Sequence, residues 1–446
     1  MDSCHEIILH LLHNLGSRRE IDQYLAAFRD PEAACFAVVK VGGGVLAEQG
    51  QEVASALAFL RRVGLRPVVV HGGGPQLDGA LAEAGIACQR IEGLRVTTPE
   101  VLTIARRVFV EEGERLADQL DRVGIRARPL ASGVFEARVT SPELGLVGEV
   151  THVHLDAIAA QLERGHLPII APLGETASGQ IVNINADVAA RELAIALKPR
   201  KIIFLTPTGG LLDNMGRIMP ALNLAEDYER LISEPWVHGG MALKLREIKH
   251  MLDRLPAHSS VSITSAEHLA KELFTHGGDG TFVQRGVTIR THASLDGLDR
   301  ARIIDALEAS FRKTLRTGDL DILPIKQLLV ADDYRALAIV TGGGPEPYLD
   351  KFAVTAEAQG VGIAASLWRR LTDASPRLFW RSRAGNPINA WYFQQAAGMH
   401  RTPDWVVFWR GITERSTIEA CIDYALQRPS SFIEASPMQS ELAGVN

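Results

Sequence analysis

Three charged side chains stand where the surrounding pattern is apolar or glycine-rich. Lys40 lies in FAVVKVGGG, inside an apolar strand pattern and two residues before Gly42–Gly44. A lysine in a buried strand is costly unless an anion or carboxylate compensates it. Asp187 lies in VNINAD, at the start of an alanine-rich helical pattern, and Lys244 lies in HGGMALK, just after a glycine pair. Lys244 is expected in the first turn of a helix, where a cation opposes the helix dipole and calls for an anionic partner. Two lysines with an aspartate between them suit phosphoryl transfer: the lysines neutralise the moving group and the aspartate holds them. A second triple glycine, Gly72–Gly74, follows His71. Such turns let backbone N–H groups face an anion. Two of them at strand ends of one sheet mark a shared ligand crevice. Neither fits GxxxxGK[ST] or GxGxxG, so a phosphate site of another design is implied.

A second constellation lies further on. Gln359, Gly360, Val361, Gly362, Ile363 and Ala364 follow the strand pattern YLDKFAV and open the helical GIAASLWRRL. Successive N–H groups at such a helix start cradle an anion. Arg381 and Arg383 alternate on a strand and therefore share one side, which favours a substrate wall. In WYF, Trp391 or Phe393 is expected to be buried and Tyr392 not. Cys4, Cys35, Cys88 and Cys421 are far apart, so no zinc site, no other metal centre and no disulfide framework is indicated.

The elements that must carry these groups can be read from period and punctuation. The chain has 446 residues, which predicts two or three domains, and its net charge of −6 argues against a nucleic-acid binder. No apolar run approaches the roughly 18 residues of a membrane helix. The start mixes His, Glu and Asn into its apolar positions, unlike a signal peptide, so a cytoplasmic location is expected. Residues 1–30 read as a helical segment that packs elsewhere, on another subunit for instance. From 31 to 283 strands alternate with helices: QEVASALAFLRRVG is a helix stopped by Gly64, and LPIIAPLG, KIIFLTPTGG and VSIT are buried strands. That pattern is α/β, a parallel sheet covered on both faces. From 287 to 435 the style changes to a smaller α+β domain, with strands RALAIV, YLDKFAV, PRLFWRS and WVVFWRG.

Taken in order, FAVVKVGGG, VVVHGGGPQLD, GLRVT, LGLVGEV, LPIIAPLG, VNINAD and GGMALK resemble the N-acetylglutamate kinase branch of the amino acid kinase family. The resemblance implies an acyl phosphate made from N-acetylglutamate and MgATP. Lys40 and Lys244 would stabilise the phosphoryl group and Asp187 would organise them. Gly43, Gly44, Gly72 and Gly73 would donate backbone N–H groups, Arg95 would clamp the α-carboxylate, and Asn183 would sit near the acetamido group. There are two departures: Thr206–Pro207 stands where Asp often follows the Thr, and GERLADQL replaces a segment that often carries Asn. EHLAKELFTHGGDGT, with the first helix, resembles the arginine-binding region of arginine-inhibited members. It implies an effector site at Tyr24, His268, Glu272 and Gly280.

Residues 359–364 fit the Q/RxxGxG/A pattern of the GNAT acetyltransferases, and YLDKF and WRSRAGNPINAWYF resemble the acetyltransferase domain of vertebrate-like N-acetylglutamate synthases. That implies acetyl-CoA as co-substrate. Lys351, Arg381, Arg383 and Asn386 would hold the carboxylates of glutamate, and Tyr392 would stand near the CoA sulfur. The expectation is a bifunctional, arginine-regulated homo-oligomer. A single-activity enzyme with one regulatory domain, or a non-catalytic arginine sensor, are the alternatives.

Overall fold

The computed structural model describes residues 37–433, apart from 92, 200, 257–258, 270–271, 273–278 and 359–361. The N-terminal helical segment with Tyr24, and the motif positions Gln359, Gly360 and Val361, lie outside the described residues. The chain divides into two compact units, one ending at Arg285 and one starting at Gly286.

In the first unit, runs of branched residues make strands buried on both faces. The eight-stranded sheet is ordered Ala221–Asn223, Thr281–Gln284, Ser260–Thr264, Lys201–Leu205, Ala37–Val41, Pro67–His71, Leu167–Ile170 and Ala127–Leu130. The last six are mutually parallel, and Thr281–Gln284 runs against Ser260–Thr264. Two cores cover the two faces: Val38, Val70, Ile202 and Phe204 look to one, Val39, Val69, Ile203 and Leu205 to the other. This is the period of two expected of a doubly covered sheet. A four-stranded sheet, Ile181–Asn183, Leu173–Glu175, Phe135–Val139 and Gly148–Val153, and an antiparallel pair, Arg90–Ile91 with Leu94–Arg95, also belong to the unit.

The helix after the first strand begins at Gly43 rather than at Gln51, and it kinks at Gln49 before ending ahead of Gly64. The glycines are therefore its first turn, not a separate loop. Asp187 is the second residue of helix Ala186–Leu197, whose start is fixed by Asn185: the Asn185 Oδ1 accepts from the N–H groups of Asp187 at 2.8 Å and Val188 at 3.4 Å. Lys244 lies in helix Gly239–Arg254, and being its sixth residue it sits in the second turn, not the first. The helix starts earlier than the apolar period suggests because it takes in the glycine pair, Gly239 with a left-handed φ of 55° and Gly240.

The second unit is a seven-stranded sheet ordered Ile289–His292, Ile325–Ala331, Ala336–Thr341, Tyr348–Val354, Leu378–Arg383, Trp405–Arg410 and Gly398–Arg401. All neighbours are antiparallel except Tyr348–Val354 with Leu378–Arg383. That parallel pair matches only at Tyr348–Phe379 and Leu349–Trp380, so the strands pair at one end alone. One face packs Leu349, Trp380 and Phe408 against helix Ile363–Ala374, and the other packs Leu337 and Ala353 with helix Arg300–Phe311. Both units are the α/β and α+β architectures expected.

Replacing Asn185 by Ala removes the cap beside Asp187. Urea unfolding followed by circular dichroism should show a loss of about 1 kcal/mol; an unchanged transition would show that the cap does not hold this helix start.

Candidate active sites

In the first unit the structure brings the three charges together. Lys40 Nζ lies 2.8 Å from Asp187 Oδ1, and the two side chains are only 12% and 19% exposed. Burial works against the Asp187 charge, yet Lys40 and Lys244 together hold its carboxyl below the usual carboxylate range. Burial pushes the Lys244 ammonium down, Asp187 opposes that, and Lys40 adds to it. Lys244 Nζ also lies 5.5 Å from the centre of the Phe204 ring. Two cations around one carboxylate leave an excess of positive charge, which suits a phosphoryl group.

The glycine turns adjoin each other. A Cβ on Gly43 would stand 2.9 Å from the backbone nitrogen of Gly74, and one on Gly72 would stand 3.3 Å from the nitrogen of Gly43. Gly73 has the Phe109 ring where its Cβ would go, at 2.9 Å. Any larger residue at Gly43 or Gly72 would drive the two strand ends apart. Gly44 faces Pro207, 3.7 Å from where its Cβ would be, so the Thr206–Pro207 departure sits against the first turn. Sequence reasoning missed the partner that fixes this turn: Gln76 Nε2 donates to the Gly43 carbonyl at 2.9 Å and to Glu112 Oε2 at 3.0 Å. Burial raises the Glu112 carboxyl. The polar Gln76 directly after HGGGP was the available signal.

Arg95 is nearly covered, its side chain 8% exposed, and Nη2 lies 2.6 Å from Asp78 Oδ1 and donates to the Gly74 carbonyl at 3.5 Å. Asn183 Nδ2 donates to Thr97 Oγ1 at 3.1 Å, and that hydroxyl donates to the Arg95 carbonyl at 3.0 Å. Arg95 and Asn183 are thus linked through Thr97, and Arg95 reaches the second glycine turn.

Of the residues expected at an effector site, Glu272 is buried and Gly280 N–H donates to its Oε2 at 3.1 Å. His268 Nδ1 lies 3.2 Å from the Ser265 hydroxyl and Nε2 lies 3.8 Å from Asp279 Oδ2. Lys201 was not singled out from sequence. Burial brings its ammonium down to about 8, with the Glu272 charge opposing. Lys201 opens the apolar KIIFL strand, so in sequence it reads as an ordinary strand end.

In the second unit, Gly362 takes a left-handed φ of 79° and caps helix Ile363–Ala374. Ile363 is fully buried in the core, so its side chain packs while the N–H groups of the first turn, Ala364 included, have no partner within the helix. Arg381 and Arg383 do share one side: both guanidiniums stack on Trp405, at 4.0 and 4.2 Å from its ring centre. A bulge between Ile339 and Val340 leaves Asp350 as an extra residue on its strand. Asp350 pairs with Lys351 and, at 2.6 Å, with Arg428 Nη2. Lys351 Nζ donates to the Ser431 hydroxyl at 3.0 Å, and Arg381 donates to the carbonyls of Ala425 at 2.7 Å and Pro429 at 3.1 Å. The segment after helix Arg415–Gln427 therefore straps across these residues. Arg428 was missed because it lies outside the quoted motifs.

Two residues of the WRSRAGNPINAWYF segment are placed differently, and the expectation that Tyr392 is not buried needs correction. Asn386 is exposed and spends its side chain locally, donating to the Ser382 hydroxyl at 3.0 Å and accepting from Ile388 N–H at 3.3 Å. These bonds hold a turn and use one of its two amide hydrogens. Tyr392 is buried, 6% exposed, whereas Phe393 is 63% exposed. Helix Asn389–Gln395 turns Tyr392 into the aromatic cluster of Trp368, Trp380 and Phe408, and helical period, not strand alternation, decides which neighbour faces in. Burial drives the Tyr392 phenol well above its ordinary pKa, so it stays a proton donor. Cys421 is also buried and its thiol is pushed up to about 11, which leaves it unreactive.

A parallel sheet with glycine-ended strands, joined to a sheet that parts beside a glycine-led helix, defines a phosphoryl-transfer fold coupled to an acyl-transfer fold. Residues 36–263 match the amino acid kinase family, and residues 290–428 match the N-acetyltransferase of N-acetylglutamate synthase. The chain is 47% identical over 421 residues to the acetylglutamate kinase of Xylella fastidiosa (strain 9a5c), covering 94% of this chain and all of that one. It is 35% identical over 406 residues to the mitochondrial N-acetylglutamate synthase of Homo sapiens, covering 89% of this chain and 73% of that protein. The N-acetylglutamate synthase of Neisseria gonorrhoeae, solved with coenzyme A and N-acetyl-glutamate, shares the fold at 20% identity, with a TM-score of 0.59 over 88% of this chain and 98% of that one. The chain belongs to the amino acid kinase family and carries a synthase-type N-acetyltransferase unit after the kinase unit. No helix among the described residues is long and apolar enough to cross a membrane.

His71 gives a pH prediction. Burial lowers its imidazole from 6.5 to about 4, so the folded state refuses a proton that the unfolded chain accepts below 6.5. Its contribution is present above pH 6.5 and is lost as pH falls toward 4, by at most roughly 3 kcal/mol. Urea midpoints measured across that range should fall, and His71→Asn should flatten the fall; an equal slope in both proteins would refute the assignment.

Proposed function

We propose that this chain acetylates L-glutamate with acetyl-CoA and phosphorylates the resulting N-acetylglutamate with MgATP, two steps of arginine biosynthesis. The meeting of Lys40, Asp187 and Lys244 beside the paired glycine turns carries the reading. In the kinase unit a side-chain carboxylate oxygen of the acetylated amino acid attacks the γ-phosphorus, an acyl phosphate forms and ADP leaves. The nucleophile is already ionised, so no general base is required. Lys40 and Lys244 stabilise charge on the moving group, and Asp187 keeps the two ammonium groups from separating. Magnesium enters with ATP as part of the substrate. Gly43, Gly44, Gly72 and Gly73 fit a polyphosphate, because no side chain stands between it and their backbone N–H groups. Arg95 holds the α-carboxylate, its planar fork being suited to a bidentate contact, and Asn183 faces the acetamido end.

In the transferase unit the glutamate nitrogen attacks the thioester carbonyl; an N–C bond forms and the C–S bond breaks. The ammonium gives one proton to a water chain before attack, and the nitrogen releases a second as the amide forms. Tyr392, kept protonated by burial, passes its proton to the leaving thiolate and regains one from that water chain, so one proton is released overall. Gly362, Ile363 and Ala364, with Gln359, Gly360 and Val361 before them, bind the CoA diphosphate. Lys351, Arg381 and Arg383 bind the carboxylates of glutamate. The reading includes a cytoplasmic homo-oligomer built through the kinase units and the N-terminal helix, with free arginine as feedback inhibitor near Tyr24, His268, Glu272 and Gly280.

Given glutamate, acetyl-CoA and MgATP, the purified protein should release CoA and ADP together. Lys40→Ala should abolish ADP release while CoA release persists, and Tyr392→Phe should slow CoA release roughly 10²-fold or less with ADP release from added N-acetylglutamate intact. Loss of both activities in either variant would overturn the division of labour.

Millimolar arginine should depress at least one of the two rates, and Glu272→Gln, which keeps the shape and removes the charge, should weaken that response. Rates indifferent to arginine would end the regulatory part of the reading.

A further inference from the structure

We propose that Arg191 and Glu247 are positioning residues for phosphoryl transfer, forming a second, charge-reversed rung between the helices that carry Asp187 and Lys244. The inference rests on the reading of those two residues given above. Arg191 is four residues after Asp187 and Glu247 is three after Lys244, so each lies on the same helical face as its neighbour. Arg191 Nη1 donates to Glu247 Oε2, and both side chains are only 13% exposed. Arg191 Nε donates to Glu192 Oε1 at 2.8 Å, and Arg254 of the second helix lies 3.8 Å from Glu192. The seam thus reads acid to base at Asp187 and Lys244, then base to acid one turn on.

A rung is needed there. Helix Gly239–Arg254 begins at a glycine with φ of 55° and has no side-chain cap, so its start is held by the apolar packing of Trp236, Val237 and Met241 without a directional bond from a capping side chain. The apolar seam between the helices includes Ala190, Ala194, Ala242 and Leu245. Small residues permit close approach, but apolar contact is non-directional and tolerates a slip. A guanidinium–carboxylate contact is directional. A slip of the second helix would carry Lys244 away from Asp187 and from the transferring group.

The test uses the full chain with N-acetylglutamate and MgATP, well below the melting temperature of every variant, with acetyl transfer as internal control. Arg191→Gln and Glu247→Gln should each lower kcat for ADP release about tenfold with KM values within about twofold. The double variant should be no slower than the worse single, because both remove one contact, and Arg191→Lys should recover part of the rate. Single variants at parental kcat, losses that multiply in the double, or losses confined to KM would overturn the proposal. Lys244→Ala in the same assay separates the two ideas. If it retains parental kcat, the reading of Lys244 fails. If it is inactive while the rung variants are not, the rung alone fails.

Discussion

The kinase unit depends on a buried cluster that is not neutral. Lys40, Lys244 and Asp187 place two cations on one carboxylate, all largely withdrawn from water. A buried ion pair roughly balances its own desolvation at best, and an unmatched cation does not. The arrangement is therefore poised for an anion, and a transferring phosphoryl group is the one proposed for it. Most of the unit serves to make that cluster possible. Parallel strands bring Lys40 and both glycine turns to one edge, alanine-rich helix faces let two helices close on each other, and Asn185 starts the helix so that Asp187 also meets the positive end of its dipole.

How much of this was legible follows from what each residue contradicts. Lys40 stands out because a charge interrupts an apolar strand, and Asp187 because it opens a helix; both meet where expected. The glycines were legible as pairs, since two triple-glycine strand ends have one economical explanation. Arg381 and Arg383 followed from period two. What escaped needed three dimensions. Lys201 looks like a strand end until Glu272 from another segment approaches it. Arg428 is one arginine among many until the bulge at Asp350 turns a carboxylate toward it. Tyr392 was expected outside and Trp391 or Phe393 inside, and only the phase of helix Asn389–Gln395 decides that Phe393 is the one left in water.

The two units solve the same problem, fixing a reactive geometry, with different forces. In the kinase unit charges are held by charges, and the glycine turns are set by backbone packing and by Gln76. In the transferase unit Tyr392 is held by Trp368, Trp380 and Phe408, whose rings meet it at tilted and edge geometries with centroids 5.5 to 5.9 Å away. Aromatic contact of this kind fixes orientation without placing any charge near the phenol. That is the environment in which a tyrosine keeps its proton.

The strap in the transferase unit bears on what Arg381 can do. Its guanidinium already serves two backbone carbonyls and the Trp405 ring, which alone would mark it as structural. A guanidinium has five N–H donors, however, and those two bonds use one hydrogen from each of two nitrogens. The remaining donors can take a carboxylate while the strap stays closed. Anchoring also lowers the cost of binding, because a guanidinium already fixed by its ring and carbonyl contacts loses little side-chain freedom when a substrate arrives. Structural engagement at Arg381 is therefore compatible with the substrate role proposed for it. Asn386 is engaged in the same partial way, one amide hydrogen on Ser382 and its oxygen accepting from Ile388, which leaves a second amide hydrogen free of the turn it holds.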